Sequence, residues 1–173
     1  MIYRIRIILD VTEDVLRDIE IEEDATLEDL HHSIIQSFGF LGNEMASFYK
    51  SDEKWTQGEE LPLETMNDVP SKSEEPLHKI FTLSDPHLIY IYDFLNLWTF
   101  FVELKEIGEK ISGLSYPNLI HSEGEVPEEA PEKIFDVEET DSFDVENEDF
   151  DEEEDFDEEE DDDLLEYDDS DFY

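Results

Sequence analysis

Histidine and aspartate side chains are the groups in this chain best suited to proton transfer or ligand binding near neutral pH. His31 lies within the apolar stripe of a helical pattern, and Asp93 follows a predicted strand. Histidine titrates near neutral pH, and a neighbouring carboxylate would fix its tautomer. We therefore treat His31 and Asp93 as a candidate pair. The alternative is a histidine at the edge of the core with one ring nitrogen hydrogen-bonded, and the sequence leaves both open.

The segment from Tyr92 to Trp98, with the sequence YDFLNLW, is a second candidate for binding. In a recognition loop, Asp93 and Asn96 would make polar contacts and Trp98 would offer an aromatic platform. The alternative is a hairpin turn between two buried strands, where Asp and Asn are favoured because they hydrogen-bond the backbone locally. The candidate binding residues are therefore His31, Tyr92, Asp93, Asn96 and Trp98.

Motifs for the common kinds of catalysis and metal binding are missing from the sequence. The five histidines show no HExxH or comparable spacing, and there is no cysteine. The six glycines are too dispersed for a phosphate-binding loop, and no GxSxG nucleophile motif occurs. We accordingly predict no catalytic residue, no metal site and no cofactor. A small enzyme or ligand-binding domain using His31, Asp93 and Trp98 is kept as the alternative.

Acidic residues dominate the chain and are concentrated at its carboxyl end. The 173 residues include 53 acidic and 10 basic ones, for a net charge of −43. Residues 123–173 hold 29 of the acidic residues and one basic residue, Lys133. Self-repulsion opposes compaction at this charge density, and the scattered apolar residues cannot offset the entropy of ordering the backbone. We therefore predict a disordered, low-complexity acidic tail over residues 134–173.

Three interpretations of this tail are open. These interpretations are a solubilising segment, a docking segment for a basic protein, and a loose buffer of divalent cations. As a docking segment, its carboxylates would steer a basic partner while Phe143, Phe150 and Phe156 act as apolar anchors. The block DFDEEE, found at residues 149–154 and again at 155–160, is low complexity and not a structural repeat.

The charge distribution also narrows the range of partners. Residues 1–122 have a net charge of −15, so both parts of the chain are anionic. Proteins bind nucleic acid and anionic membranes mainly through Lys and Arg, and direct binding to either is therefore disfavoured. The longest apolar stretch, residues 94–102, is far shorter than the ~20 residues of a membrane helix. We predict a soluble cytoplasmic protein, and the sequence does not indicate its oligomeric state.

Two amphipathic strands are predicted at the amino end. Apolar residues alternate with Arg4 and Arg6 over residues 3–9, which is the period of a half-buried strand. A second such run covers residues 15–22, with carboxylates at the outward positions. If the strands pair antiparallel, these carboxylates share a face with the two arginines, and each cross-strand pair is worth about 0.2–1 kcal/mol.

The clearest helix signal follows the second strand. Thr26 and Asp29 fit an amino-terminal capping box, and Gly39 fits the carboxyl-terminal cap. Apolar residues repeat at helical spacing between the caps. At about 100° per residue, His31 falls inside their stripe while His32 points away. The sequence therefore predicts a β-β-α start.

The rest of the domain is predicted to be mainly β. We expect a strand at residues 45–50, and β-branched and aromatic runs predict three more, at residues 78–83, 88–92 and 98–104. Between them we expect a turn-rich connection and a long loop, at residues 51–58 and 59–76, with a helical turn near residues 63–66. The predicted fold is α+β, a mainly antiparallel sheet with one principal covering helix, over residues 1–133.

The motifs YRIRIIL, TLEDLHHSIIQSFGF, YIYDFLNLW and YPNLIHSEGEVPEEAPEK, in this order, resemble the plasmid pRiA4b ORF-3-like family over about residues 2–133. The family's Leu-His pair in the first helix is matched by Leu30 and His31. Its aromatic residue after the helix-ending glycine is matched by Phe40, and its Tyr-Asp-Phe strand end followed by a Trp is matched by residues 92–94 and Trp98. The resemblance implies an α+β domain often linked with plasmids and mobile elements, and it brings no settled activity.

The chain departs from the family's pattern at several positions. Leu95 and Asn96 stand where members commonly have Gly-Asp, and Leu16 precedes Arg17 where a Trp is usual. The later cysteine and proline-rich acidic motif is altered to HSEGEVPEEAPEK. If the family's acidic residues form a site, Asn96 removes one carboxylate from it.

The function predicted from these observations is that of a non-enzymatic interaction protein. The domain would offer the loop after Tyr92. The acidic tail would engage a basic protein partner or act as a solubilising segment.

Overall fold

A computed structural model describes residues 1–64 and 72–132, which form a seven-stranded sheet with one principal helix. The strands are β1 (Ile2–Leu9), β2 (Leu16–Glu22), β3 (Ala46–Ser51), β4 (Gln57–Pro62), β5 (His87–Tyr92), β6 (Trp98–Gly108) and β7 (Asn118–Glu123). The helices are α1 (Leu27–Phe38) and the single-turn α2 (Leu77–Ile80), which follows a 3-10 turn at Lys72–Glu74. The predictions for residues 134–173 and for residues 65–66 lie outside the described residues. No helix in the described ranges is long and apolar enough to cross a membrane.

All strand pairs in the sheet are antiparallel, and the strand order is β4-β3-β5-β6-β1-β2-β7. β1 lies inside the sheet between β6 and β2, and its apolar side chains other than Ile8 are buried. The two edges are β4 and β7. Four of the six residues in β4 and five of the six in β7 are exposed. The predicted antiparallel sheet with a β-β-α start is confirmed.

Ion pairs on the outer face fix the register of β1 against β2. Arg6 donates from Nε and Nη2 to the two carboxylate oxygens of Asp18, at 2.8 and 2.9 Å. Arg4 donates from Nε to Glu20 at 2.9 Å and from Nη1 to Glu106 of β6 at 2.7 Å. A slip of one residue would turn the isoleucines of β1 away from the core, so apolar burial and the ion pairs specify the same register. The predicted cross-strand pairs are confirmed.

Capping residues determine where α1 begins and ends. The Thr26 hydroxyl accepts from Asp29 N at 3.2 Å, and the Asp29 carboxylate accepts from Thr26 N at 2.9 Å. Gly39 ends the helix with a φ of 78°, in the left-handed region where a Cβ is costly. Between these caps, the apolar side of α1 is buried in the core, chiefly through Leu27, Leu30, Ile34 and Phe38.

The edge strands β4 and β7 were not predicted. β4 includes Gly58, Glu59 and Glu60, which have low strand propensity, and forms because β3 offers a pairing edge. Residues 59–62 are therefore a strand and not part of a long loop. β7 shows no alternation of buried and exposed residues and is held by its pairing with β2. Edge strands of this kind leave only a weak trace in the hydrophobic pattern.

The predicted strand at residues 78–83 is wrong, because its first residues belong to α2. Pro76, with a φ of −65°, precedes this turn of helix. Leu77 and Ile80 stand three residues apart, so one turn of helix brings both into the core. A short apolar run fits a buried strand or a helical turn equally well, and tertiary packing decides between them.

One end of the sheet gathers four connections that are described in full, and β4 also ends there. Neighbouring antiparallel strands alternate in direction, so β1 and β5 end where β2, β3 and β6 begin and where β7 also ends. The connections at this end cover residues 10–15, 39–45, 93–97 and 124–132. We refer to this set of connections as the loop end.

Candidate functional site

The hairpin between β5 and β6 is organised by the Asp93 side chain. Its carboxylate accepts from Leu95 N at 3.0 Å, from Asn96 N at 3.3 Å and from the Asn96 side-chain amide at 2.6 Å. The side-chain amide of Asn96, together with the backbone amides, lowers the pKa of the Asp93 carboxyl. Asp93 and Asn96 therefore hold the turn together, which is the arrangement expected of a hairpin turn.

Backbone strain is present in the same hairpin. Asp93 has a φ of 62° and Leu97 a φ of 54°, both in the left-handed region. Asp tolerates this region, but for Leu it costs about 1 kcal/mol or more. The bond from Leu97 N to Asp93 O, at 2.6 Å, closes the turn. Residues 94–96, between these two positions, are exposed.

An exposed apolar surface lies on this hairpin and on the neighbouring connection from α1 to β3. Leu41 and Leu95 are 89% and 92% exposed, and Met45 and Phe94 are 48% and 41% exposed. The two connections are adjacent because Asp93 N donates to Met45 O at 2.9 Å. We call Leu41, Met45, Phe94 and Leu95 the apolar tip. Exposed apolar side chains gathered on two adjacent connections make this region a candidate interaction site.

The apolar tip rests on a packed aromatic cluster. The Phe40 ring lies 5.2 Å from that of Tyr92, 5.1 Å from that of Trp98 and 5.8 Å from that of Phe100, measured between centroids. The Tyr92 hydroxyl accepts from Gly42 N at 3.1 Å, which ties the two connections together. Tyr92 and Trp98 are both buried, so they support the tip from below and present no open aromatic face.

His31 makes its side-chain hydrogen bond with Tyr90, a fully buried residue of β5. Its Nδ1 lies 2.6 Å from the Tyr90 hydroxyl. Burial, and then the neighbouring His32, lower the pKa of His31 to about 4, while burial raises the pKa of Tyr90. The imidazole is therefore neutral at physiological pH. A neutral imidazole can either accept the Tyr90 hydroxyl proton at Nδ1 or donate its own proton from Nδ1 to the Tyr90 oxygen.

A pH dependence of stability follows from this neutral histidine. The unfolded chain has the ordinary pKa of 6.5 and the folded chain about 4, so the unfolded state binds more protons in this interval. The contribution of His31 is complete above pH 6.5 and is lost as the pH falls towards 4. Because the ring is only half-buried, we expect a loss of about 1–2 kcal/mol in the free energy of unfolding.

Chemical denaturation of the wild type and of His31→Gln at the two ends of this pH interval measures that loss, because the variant lacks the titrating ring. His32→Gln, on the exposed side of α1, is the matched substitution. Proton NMR measures the pH at which His31 is half protonated. A value at the ordinary pKa of 6.5 would contradict the lowered pKa assigned to this residue.

The structure brings four of the five sequence-predicted binding residues together in one hairpin. Tyr92, Asp93, Asn96 and Trp98 all belong to it, whereas His31 contacts Tyr90. Within the described ranges no hydrogen bond joins His31 to Asp93. Sequence reasoning missed Leu41 and Met45, although an apolar residue just after a helix-ending glycine was a usable signal.

Arg17 is a buried cation whose hydrogen bonds all go to backbone carbonyls. It donates to Ser37 O at 3.1 Å, Leu16 O at 2.7 Å, Glu123 O at 2.8 Å and Gly124 O at 3.2 Å. Its guanidinium also lies 4.9 Å from the centroid of the Phe38 ring. Burial lowers its pKa, although a guanidinium stays charged. Arg17 thereby joins the carboxyl ends of α1 and β7.

Most other basic side chains are paired with carboxylates within the domain. Nine basic residues precede residue 123. Six of them form ion pairs with Asp or Glu, namely Arg4, Arg6, Lys50, Lys72, Lys105 and Lys110. In the described ranges, only the ammonium groups of Lys54 and Lys79 and the carbonyl-bound Arg17 lack such a pair. The domain therefore has little free positive charge. Separately, its described residues include no cluster of three or more His, Asp or Glu able to hold a metal.

The fold and the loop end define a small α+β protein built on a single antiparallel sheet. The chain belongs to the plasmid pRiA4b ORF-3-like family, whose model matches residues 1–172. It is similar in structure to a crystal structure described as a protein of unknown function, MM3350, from Methanosarcina mazei Go1. The TM-score is 0.64 at 25% sequence identity, covering 73% of this chain and 72% of that one. A search of curated proteins gave no match. The family resemblance seen in the sequence is confirmed.

Proposed function

We propose that this chain is a non-enzymatic protein-interaction module that engages a basic protein through the apolar tip and the acidic segment of residues 134–173. The observation that carries the proposal is the contrast between the largely paired basic side chains of the domain and the exposed apolar side chains of the loop end. Six of the nine basic residues that precede residue 123 form internal ion pairs, while the loop end exposes apolar side chains. Such a molecule offers carboxylates and apolar groups to a partner, and few cations.

Electrostatics selects the class of partner. The chain carries a net charge of −43, and 24 carboxylates lie in residues 134–173 with no basic residue among them. A field of this sign repels phosphate backbones and anionic lipids and accelerates the approach of a basic protein.

The apolar tip supports direct contact after this long-range attraction. Leu95 is 92% exposed on a hairpin that holds Leu97 in the left-handed region. Strained backbone of this kind is concentrated at functional sites, since elsewhere a residue without strain serves as well. Burying the exposed leucines against a partner contributes about 25 cal/mol for each Å² removed from water. The phenylalanines at 143, 150 and 156 would add apolar anchors of the same kind.

A labelled peptide of alternating lysine and leucine tests both surfaces in the full-length chain by fluorescence anisotropy. Changing Leu41 and Leu95 together to Ser should weaken binding about fivefold, since two apolar contacts are lost. Leu83→Ser is the matched control, because Leu83 is 57% exposed and precedes β5 at the opposite end of the sheet. Its affinity should equal that of the wild type.

The acidic segment is tested with the same peptide. Converting the ten carboxylates of residues 149–160 to amides keeps the chain length and both phenylalanines. We expect about tenfold weaker binding and a shallower dependence on salt. Unchanged affinity would assign a purely solubilising role to these residues and would contradict the proposal. Tighter binding of duplex DNA than of the peptide would also contradict it.

A further inference from the structure

A cleft of about 240 Å³ opens at the loop end, between the β1–β2 connection and the segment that follows β7. Its apolar lining comes from Val11 and Val15 on one side and from Pro127 and Pro131 on the other. Sites for drug-sized ligands begin at about 300 Å³, so this cleft has the size for one inserted side chain.

Both sides of the cleft are held in place by the domain. On one side, Leu9 N donates to Val15 O and Val11 N donates to Leu9 O, each at 2.9 Å. On the other side, Val126 and Ala130 pack against the core. Arg17 binds the carbonyls of residues 123 and 124, where this segment leaves β7. Because the cleft is preformed, less conformational entropy is lost when a side chain binds in it.

Carboxylates surround the apolar lining. Glu13 lies on the first side, and Glu125 and Glu129 lie on the second. All three residues are exposed, and no basic residue lines the cleft in the described part of the chain. The cleft therefore combines apolar walls with a negatively charged rim that is supplied from both sides.

We propose that this cleft receives a lysine side chain of the basic partner. The methylene stem of lysine would lie on the valines and prolines, while its ammonium group would remain at the rim among the three carboxylates. Lysine commonly buries its stem and keeps its charged group in a polar environment. This inference rests on the proposed function and names the group that the partner inserts.

Charge complementarity separates a lysine side chain from anionic and uncharged occupants. The acidic segment of this chain and a nucleic acid phosphate are both repelled by Glu13, Glu125 and Glu129. An uncharged apolar side chain would fill the walls but would leave the rim without a partner. A lysine side chain satisfies both parts of the cleft.

The test uses the full-length chain and a labelled peptide of alternating lysine and glycine, which lacks the leucines that the apolar tip would bind. The variant changes Glu13, Glu125 and Glu129 together to Gln. A control changes Glu53, Glu75 and Glu109 to Gln, three exposed residues outside the loop end that remove the same total charge. A second peptide replaces lysine by 2,4-diaminobutyric acid, which keeps the charge and shortens the stem.

We expect the cleft variant to bind the lysine peptide at least fivefold more weakly than the wild type, and the control to lose less than twofold. The wild type should prefer lysine to the shorter residue, and NMR amide shifts should occur at Thr12 and Val126. Equal losses in the two variants, or shifts elsewhere, would overturn the lysine site while leaving the proposed function in place. Absence of binding by both this peptide and the lysine–leucine peptide would overturn both.

Discussion

Arg17→Met should lower the free energy of unfolding by about 3 kcal/mol, measured by urea denaturation at neutral pH. The variant retains an apolar side chain of similar length but removes every hydrogen bond from the guanidinium to Ser37, Glu123 and Gly124. Each bond from a charged donor is worth about 1.5–3 kcal/mol, and bonds of one group are not additive. We expect a fall in Tm of about 10 °C.

Arg6→Met is the matched control, because it removes the same group from the neighbouring strand on the outer face. The Arg6 side chain is 38% exposed, and its pair with Asp18 is solvent-accessible. Its loss should therefore cost about 0–1 kcal/mol. If the two substitutions had equal effects, the carbonyl contacts of Arg17 would not stabilise the fold. Arg17→Lys should recover only part of the loss, since an ammonium group lacks the planar fork.

Gly124→Ala should destabilise the domain by about 3 kcal/mol, the second large effect. Gly124 has a φ of 74°, and a Cβ built there would overlap Asp14 O and lie 3.0 Å from Val15 Cα. These are backbone atoms, which cannot move aside as a flexible side chain would. We expect the segment after β7 to separate from the β1–β2 connection, which hydrogen exchange at Val126 would detect.

Gly113→Ala isolates the conformational part of that cost. Gly113 has a φ of 90°, but a Cβ there meets no atom within 4 Å. Its substitution should therefore cost about 1–2 kcal/mol, the ordinary penalty of the left-handed region. The difference in the free energy of unfolding between the two alanine variants measures the cost of the steric overlap between a Cβ at position 124 and Asp14 O. Equal costs would show that this approach is unimportant.

Local patterns were sufficient to predict the central part of the fold. The alternation around Arg4 and Arg6 and the caps at Thr26 and Gly39 depend only on neighbouring residues, and both are confirmed. β4 and β7 depend instead on the edge that another strand offers, so their own residues carry little signal. The Leu77–Ile80 run was misassigned for the same reason, because packing and not period decides its conformation.

The candidate site was predicted in part. The hairpin of residues 92–98 was recognised from its residue types, but its partner connection was not. Only the pairing of β3 with β5 brings Met45 beside Asp93, and this pairing spans more than forty residues of sequence. Similarly, the pleat of β5 directs Tyr90 into the core, where it meets His31. Contacts of this range are not contained in any local motif.

The two exposed edge strands of the sheet affect how the protein should be stored. Glu59 and Glu60 lie on β4, and Glu123 ends β7, so the unpaired backbone at each edge is flanked by charge. Strands from a second molecule are repelled while these carboxylates are ionised. Salt screens this repulsion, so concentrated stocks should be stored at neutral pH and low ionic strength.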